Sequence, residues 1–182
     1  MKKIFTIIFV LFAFVNATVA QTTTATQTIT LTIVNSIGIT FSGSGTSTGT
    51  AVTIPFATVS DYANGITSAA QAMVVQSNTR FAVTVKANAA NFTYTGSVTP
   101  APTMPVSGVL AIIVPANGTG GSIVSPFSTS TYSTLTSTAQ NLLTACTNGA
   151  SQTFSVQYKA TPGFTYPGGT YTTSVIYTAT QY

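Results

Sequence analysis

Apolar and polar residues alternate with a period of two along much of this chain, most regularly in residues 21–34. Threonine occupies every even position from 22 to 32, whereas Ile29, Leu31 and Ile33 fall on the opposite face. Successive side chains of a β-strand point to opposite sides, so this pattern predicts a strand with one apolar face.

Further strand candidates either alternate in the same way or are short apolar runs bounded by Gly, Pro or Asn. They are residues 51–56, 71–76, 80–86, 91–95, 106–114, 152–159 and 170–182. In residues 80–86, the side chains of Phe81, Val83 and Val85 share one face, which we expect to point into the core. Residues 133–147 are ambiguous, because their leucines would also fit a short helix.

Gly, Ser and Thr fill residues 42–50, so residues 41–50 are predicted to form a flexible loop, and the Asn-Gly pair of residues 61–65 is a turn signal. Seven to nine short strands separated by such turns predict an all-β fold with little helix. We expect a single antiparallel β-sandwich of immunoglobulin-like topology over residues 21–182, with a barrel as the alternative.

The N-terminus has the pattern of a secretory signal peptide. Lys2 and Lys3 precede the apolar run 4–15, and residues 16–20 are small. Cleavage after Ala20 would leave a chain that begins at Gln21. The alternative is an uncleaved anchor, although the run is shorter than the roughly 20 residues that a membrane span needs.

Charge is scarce in the rest of the chain. Beyond residue 20 there remain Arg80, Lys86 and Lys159 against Asp61, a net charge of +2. These cations form no cluster, so we expect neither nucleic-acid binding nor attachment to anionic lipid. We also expect no stable membrane span after cleavage.

The inventory of reactive side chains argues against catalysis. The chain has no histidine, one carboxylate (Asp61) and one cysteine (Cys146), whereas acid–base pairs, triads and zinc sites need several such groups together. We therefore predict no enzyme activity, no catalytic residue, no cofactor and no metal site. We expect Cys146 to be a buried apolar side chain and Asp61 to bond backbone N–H groups beside a turn.

Three stretches carry a resemblance to a known group: residues 75–85 (VQSNTRFAVTV), 158–164 (YKATPGF) and 166–171 (YPGGTY), the last followed by an alternating strand. The chain resembles exported Gram-negative sandwich proteins that include spore-coat-U-like and fimbrial-subunit-like domains. The resemblance implies a non-catalytic component of a surface filament or matrix that passes through the periplasm to the outside. The cysteines common in the spore-coat-U-like group are absent here.

Three functions are compatible with these observations. The first is a structural subunit that associates with itself or with other surface subunits, because edge strands with few charges are poorly protected against pairing. Residues 21–35, with Ile29, Leu31 and Ile33, are the candidate assembly strand, either in their own sandwich or in a neighbour's. The second is an adhesin or carbohydrate-binding module that contacts glycans through tyrosine and asparagine. The third is ice binding by the threonine row.

Overall fold

The computed structural model describes residues 21–182, and the predicted signal peptide lies outside these residues. Residues 34–182 form one compact unit, whereas residues 21–33 are not part of it. The described residues contain one short helix, α1 (Val59–Asn64), and twelve strands. The strands are β1 (Ile37–Phe41), β2 (Ile66–Thr67), β3 (Gln71–Ser77), β4 (Phe81–Ala87), β5 (Thr93–Thr95), β6 (Leu110–Asn117), β7 (Ser122–Ile123), β8 (Ser133–Thr134), β9 (Gln140–Cys146), β10 (Gly149–Ala160), β11 (Thr170–Thr172) and β12 (Val175–Gln181).

Two antiparallel sheets form the sandwich. The first has the order β1-β3-β10-β6-β8, with β2 also paired to β10, and the second has the order β12-β4-β9-β7. Strands β5 and β11 form a separate two-stranded sheet. The prediction of an all-β sandwich with little helix is therefore confirmed, and the additional strands beyond the predicted seven to nine are pieces of two or three residues.

The first sheet has the order of the immunoglobulin sheet ABED, whereas the second corresponds to sheet CFG only in part, because β9 and β7 lie on the other side of β4. Strands β1, β3, β10 and β6 take the positions of A, B, E and D, while β4 and β12 take those of C and F. Strand G would pair with the free side of β12. No strand in residues 21–182 occupies that position.

The core lies between the two sheets, and the inner strands supply most of it. Phe81 and Val83 of β4 and Met73 and Val75 of β3 are fully buried, and Val85 is nearly so. Thr84, between two of these residues, points to the outer face and is only partly buried. The faces predicted for residues 80–86 are thus confirmed.

The structure corrects the predicted turn at residues 61–65. Thr58 caps helix α1: Asp61 N–H bonds to the Thr58 hydroxyl, and the Asp61 carboxylate accepts from Thr58 N–H. This reciprocal pattern is a capping box, which stabilises even a short helix. Gly65 ends the helix at φ 74°, where a Cβ would lie 2.6 Å from the Ala160 carbonyl oxygen.

Other element boundaries also differ from the predictions. The helix considered for residues 133–147 is wrong, because this region forms strands β8 and β9. Residues 170–182 form two strands with a break at residues 173–174, and residues 106–109 precede β6. Residues 21–35 and 51–56 are assigned to neither strand nor helix.

Candidate functional site

The sandwich is open along the side where β1 and β12 form the edges of the two sheets. The inward-facing apolar side chains of these strands remain only partly buried, although they pack against the core: Ile37, Ile39 and Phe41 of β1, and Val175, Tyr177 and Ala179 of β12. The inner strands of the same sheets have fully buried side chains. The core is therefore partly exposed to solvent along this edge.

On this side the backbone of β12 pairs with no strand of residues 21–182. Tyr182 N–H donates to the Arg80 carbonyl at 3.1 Å, and Asn88 N–H donates to the Ser174 carbonyl at 2.9 Å. Backbone bonding directions alternate along an antiparallel strand, so the N–H and C=O groups of the even-numbered residues point to β4. The odd-numbered residues 175–181 consequently direct their N–H and C=O groups to the open edge.

Residues 50–56 contribute a second set of unpaired backbone groups. Their N–H and C=O groups make no hydrogen bond to another residue of the described part of the chain. Burial alternates here: Ile54 and Phe56 are partly buried, whereas Thr53 and Pro55, which precede them, are exposed. This alternation is that of a strand with one face on the core, although the segment has no partner strand in residues 21–182.

Two cavities lie along this edge and share Phe41, Ser47 and Val175 in their linings. The larger has a volume of about 860 Å³ and is lined by residues 47–56 and 166–175. The smaller, of about 170 Å³, lies between β1 and β12. We call the two cavities together the edge groove. Its base is formed by core residues, which are Met73, Met104, Val109, Leu110 and Tyr158.

The edge groove is electrically neutral. None of its lining residues is Asp, Glu, Lys or Arg. Its ionisable groups are tyrosines, and burial raises the pKa of Tyr158 and holds the pKa of Tyr177 well above its ordinary value of 10.0. Both hydroxyls are therefore protonated at neutral pH. The groove therefore suits an uncharged occupant.

The predicted assembly residues are exposed to solvent. The exposed fractions of Ile29, Leu31 and Ile33 are 77%, 77% and 80%. Their alternation is present in the sequence, but they are neither in a strand nor half-buried. Their role in assembly stays a prediction. The groove itself could not be predicted from the sequence, because the adjacency of β1 and β12 depends on long-range strand order.

The remaining reactive groups have structural roles. The Asp61 carboxylate accepts from the backbone N–H groups of Ala57 (2.9 Å) and Thr58 (2.7 Å), and these bonds lower its pKa. Cys146 is fully buried, as predicted. Burial raises the pKa of its thiol, to which the Thr119 hydroxyl donates at 3.2 Å. Residues 21–182 contain no group of three or more metal-ligating side chains.

Lys159 contacts an aromatic ring, and another pair of aromatic rings is exposed. The Lys159 ammonium lies 5.9 Å from the centre of the Tyr132 ring, which is a cation–π distance. Phe164 is 66% exposed, and its ring stacks on Tyr62 with centroids 5.6 Å apart. No helix in residues 21–182 has the length and apolar character needed to cross a membrane.

No protein-family model matches the chain, and no curated protein matches it.

Proposed function

We propose that this protein is a non-enzymatic structural subunit of a surface filament or matrix, and that it assembles by strand addition. The N-terminal segment of one copy would fill the edge groove of the next. The observation that carries this proposal is the unoccupied strand position beside β12, in a chain that also has an exposed alternating segment. Strand addition uses backbone hydrogen bonds for affinity and pockets for alternate side chains for specificity.

The segment and the groove match in chemistry. Residues 21–34 contain no charged side chain, and the groove lining contains none either. Ile29, Leu31 and Ile33 would occupy alternate positions over the exposed part of the core. Full burial of a side chain of this size contributes about 1.5–3 kcal/mol.

The backbone groups also match. The odd-numbered residues 175–181 offer a ladder of N–H and C=O groups without a backbone partner in residues 21–182, and residues 50–56 offer others. Residues 50–56 and Val175 line the same cavity, so a strand that enters there would have bonding groups on both of its sides. Each such hydrogen bond contributes about 1 kcal/mol net.

Assembly of this kind joins unlike surfaces of neighbouring copies. Contacts between unlike surfaces propagate into a filament unless the rotation closes a ring. The sparse charge of the chain, a net +2 beyond residue 20, leaves little repulsion between copies. Export through the periplasm to the cell surface is part of this proposal, and the pattern of residues 1–20 supports it.

A truncated protein that begins at Ser36 tests the proposal. It should stay folded, fail to polymerise, and gain stability when a peptide of residues 21–35 is added. A scrambled peptide of the same composition is the control. If the segment instead completes its own sandwich, the truncated protein should unfold and the untruncated protein should be monomeric at all concentrations by light scattering, which would end the strand-addition proposal.

The exposed aromatic pair supports a second candidate, which is carbohydrate binding by an adhesin. Tyr62 and Phe164 stack with an angle of 25° between their rings, and Phe164 projects into solvent. Exposed aromatic rings present an apolar face on which a sugar ring can pack. A glycan array would test this function, with Phe164→Ala expected to abolish binding; a purely structural subunit would give no hits.

A further inference from the structure

A network of side-chain hydrogen bonds holds the start of β1. This network affects whether the N-terminal segment can enter the groove of its own chain or only that of a second copy. The Asn78 side-chain Nδ2 donates to the Val34 carbonyl at 2.8 Å, and Ser36 N–H donates to Asn78 Oδ1 at 2.9 Å. A residue of a parallel neighbouring strand makes the same pair of bonds with its own N–H and C=O groups. The Asn78 amide therefore holds residue 35 as a strand partner would.

Gln181, at the end of β12, reinforces the network. Its Nε2 donates to the Ser36 carbonyl at 2.8 Å and lies 3.2 Å from Asn78 Oδ1. The Ser36 carbonyl also accepts from Asn78 N–H at 3.3 Å. These bonds join the beginning of β1 to the end of β12, so they close one end of the space between the two edge strands. We call Asn78 and Gln181 the latch.

Self-insertion would require the chain to reverse at the latch. Ile33 lies only three residues before Ser36, so a chain that places Ile33 in its own groove must turn within residues 34–36. That turn would break the bonds of Asn78 to Val34 and Ser36. It would also displace Gln181 from the Ser36 carbonyl.

The residues available for such a turn are unfavourable. Two-residue hairpin turns of type I′ need positive φ at both central positions, hence their preference for Asn-Gly. Here the central residues would be Asn35 and Ser36. Serine lacks the freedom of glycine at positive φ, so the turn adds backbone strain to the loss of the latch bonds.

We propose that the latch commits the N-terminal segment to the groove of a second copy of this chain by blocking insertion into its own. This inference rests on the proposed function. It assigns Asn78 and Gln181 a positioning role in assembly, because neither residue contributes a side chain to the groove lining. The latch would thereby favour polymers over self-completed monomers.

The test uses the protein that retains residues 21–35, unfolded in guanidinium chloride and refolded by dilution at a fixed concentration. Light scattering coupled to size exclusion gives the ratio of monomer to polymer. Asn78→Ala should raise that ratio about tenfold, which corresponds to roughly 1.4 kcal/mol of lost bonding. Asn78→Ala combined with Ser36→Gly should raise it further, because the double variant supplies an Asn-Gly turn.

Asn117→Ala is the matched control. The Asn117 side chain makes three hydrogen bonds in the β6–β7 turn, one to Gly121 and two to Thr119, and it does not line the groove. This variant loses comparable bonding without touching the latch, so its monomer ratio should equal that of the wild type. Thermal unfolding of all variants shows whether they are folded.

Hydrogen exchange of residues 28–34 in the monomer fraction separates the outcomes. Protected amides in the monomers of the latch variants support the inference. An unchanged ratio in both latch variants, with a polymerising wild type, overturns it while leaving the proposed function intact. A monomeric wild type with protected amides overturns the proposed role of the latch, because the segment then enters its own groove. A monomeric wild type with unprotected amides overturns the proposed function and the latch together.

Discussion

Tyr158 and Tyr177 face each other across the sandwich, with their hydroxyl oxygens 2.8 Å apart. Tyr158 belongs to β10 in the first sheet, and Tyr177 belongs to β12 in the second. The bond therefore ties the edge strand of the second sheet to the first sheet. The rings of Phe41 and Phe154 each pack edge-on against Tyr177, with centroids 6.4 Å away.

Tyr177→Phe should remove this tie and leave the buried Tyr158 hydroxyl without its partner. We expect the free energy of unfolding to fall by about 1–2 kcal/mol, the usual cost of an unsatisfied buried hydroxyl. Urea denaturation measures the change. Tyr182→Phe is the control, since Tyr182 is 64% exposed, and its effect should be close to zero. Equal losses in the two variants would show that the inter-sheet bond contributes nothing.

The same tyrosines predict an alkaline limit to stability. In the folded protein, burial holds the pKa of Tyr177 and Tyr158 above 10.0 and the pKa of Cys146 above 9.0. Above their ordinary pKa values the unfolded chain loses these protons while the folded chain keeps them, so folding weakens as the pH rises. On the acidic side, the pKa of Asp61 is lowered in the folded state, so its contribution is lost only as the pH falls below its ordinary 3.8.

Urea midpoints should therefore change little between about pH 5 and pH 8 and fall above about pH 9. The slope for each affected group is at most about 1.4 kcal/mol per pH unit. Tyr177→Phe should flatten the alkaline slope, because it removes the group with the most strongly raised pKa. An alkaline slope that is identical in this variant would contradict the assignment.

Val83 and Thr84 test the two faces of β4. Val83 is fully buried, so Val83→Asp would place a carboxylate in the core without a partner. We expect it to cost several kcal/mol or to prevent folding. Thr84→Asp, on the outer face, should cost less than about 1 kcal/mol. Thermal unfolding of both variants gives the comparison, and similar losses would mean that the faces are reversed.

Substitutions of Leu31 and Thr30 test whether the candidate assembly strand, residues 21–35, inserts into a neighbouring copy. Leu31→Asp would put a charge into the neutral groove and should abolish polymers, because an unpaired buried carboxylate is strongly unfavourable. Thr30→Asp lies on the opposite face and should leave polymers in place. Electron microscopy and light scattering provide the readout. Filaments formed by the Leu31→Asp protein would exclude this residue from the contact between copies.

Cleavage of the predicted signal peptide is tested by intact-mass measurement of protein recovered outside the cells. The mass should correspond to a chain that begins at Gln21, with or without cyclisation to pyroglutamate. A mass that includes residues 1–20 would contradict cleavage after Ala20.

Local patterns were sufficient to predict the inner strands. Phe81, Val83 and Val85 alternate with polar residues, and this alternation reflects burial on one side of a sheet, so the prediction of faces succeeded. Helix α1 was not predicted, because the Asn64-Gly65 pair was interpreted as a turn signal. The Thr58–Asp61 spacing is itself a capping-box signal and could have revealed the helix.

The edge groove could not be predicted in this way. Residues 50–56 alternate like a strand, yet whether they find a partner depends on segments distant in the chain. The same holds for β12, whose free side results from the order of the second sheet. Alternation shows which side chains of a segment are suited to burial, but it does not show which strand lies beside it.

The groove also carries its own optical reporter. The chain contains no tryptophan, so its intrinsic fluorescence and much of its near-ultraviolet circular dichroism arise from eight tyrosines. Five of these tyrosines line the edge groove: Tyr62, Tyr158, Tyr166, Tyr171 and Tyr177. Any occupant that displaces water from the groove changes the surroundings of most of the chromophores at once. Occupancy can therefore be followed in real time, without a label, by the emission of the protein itself.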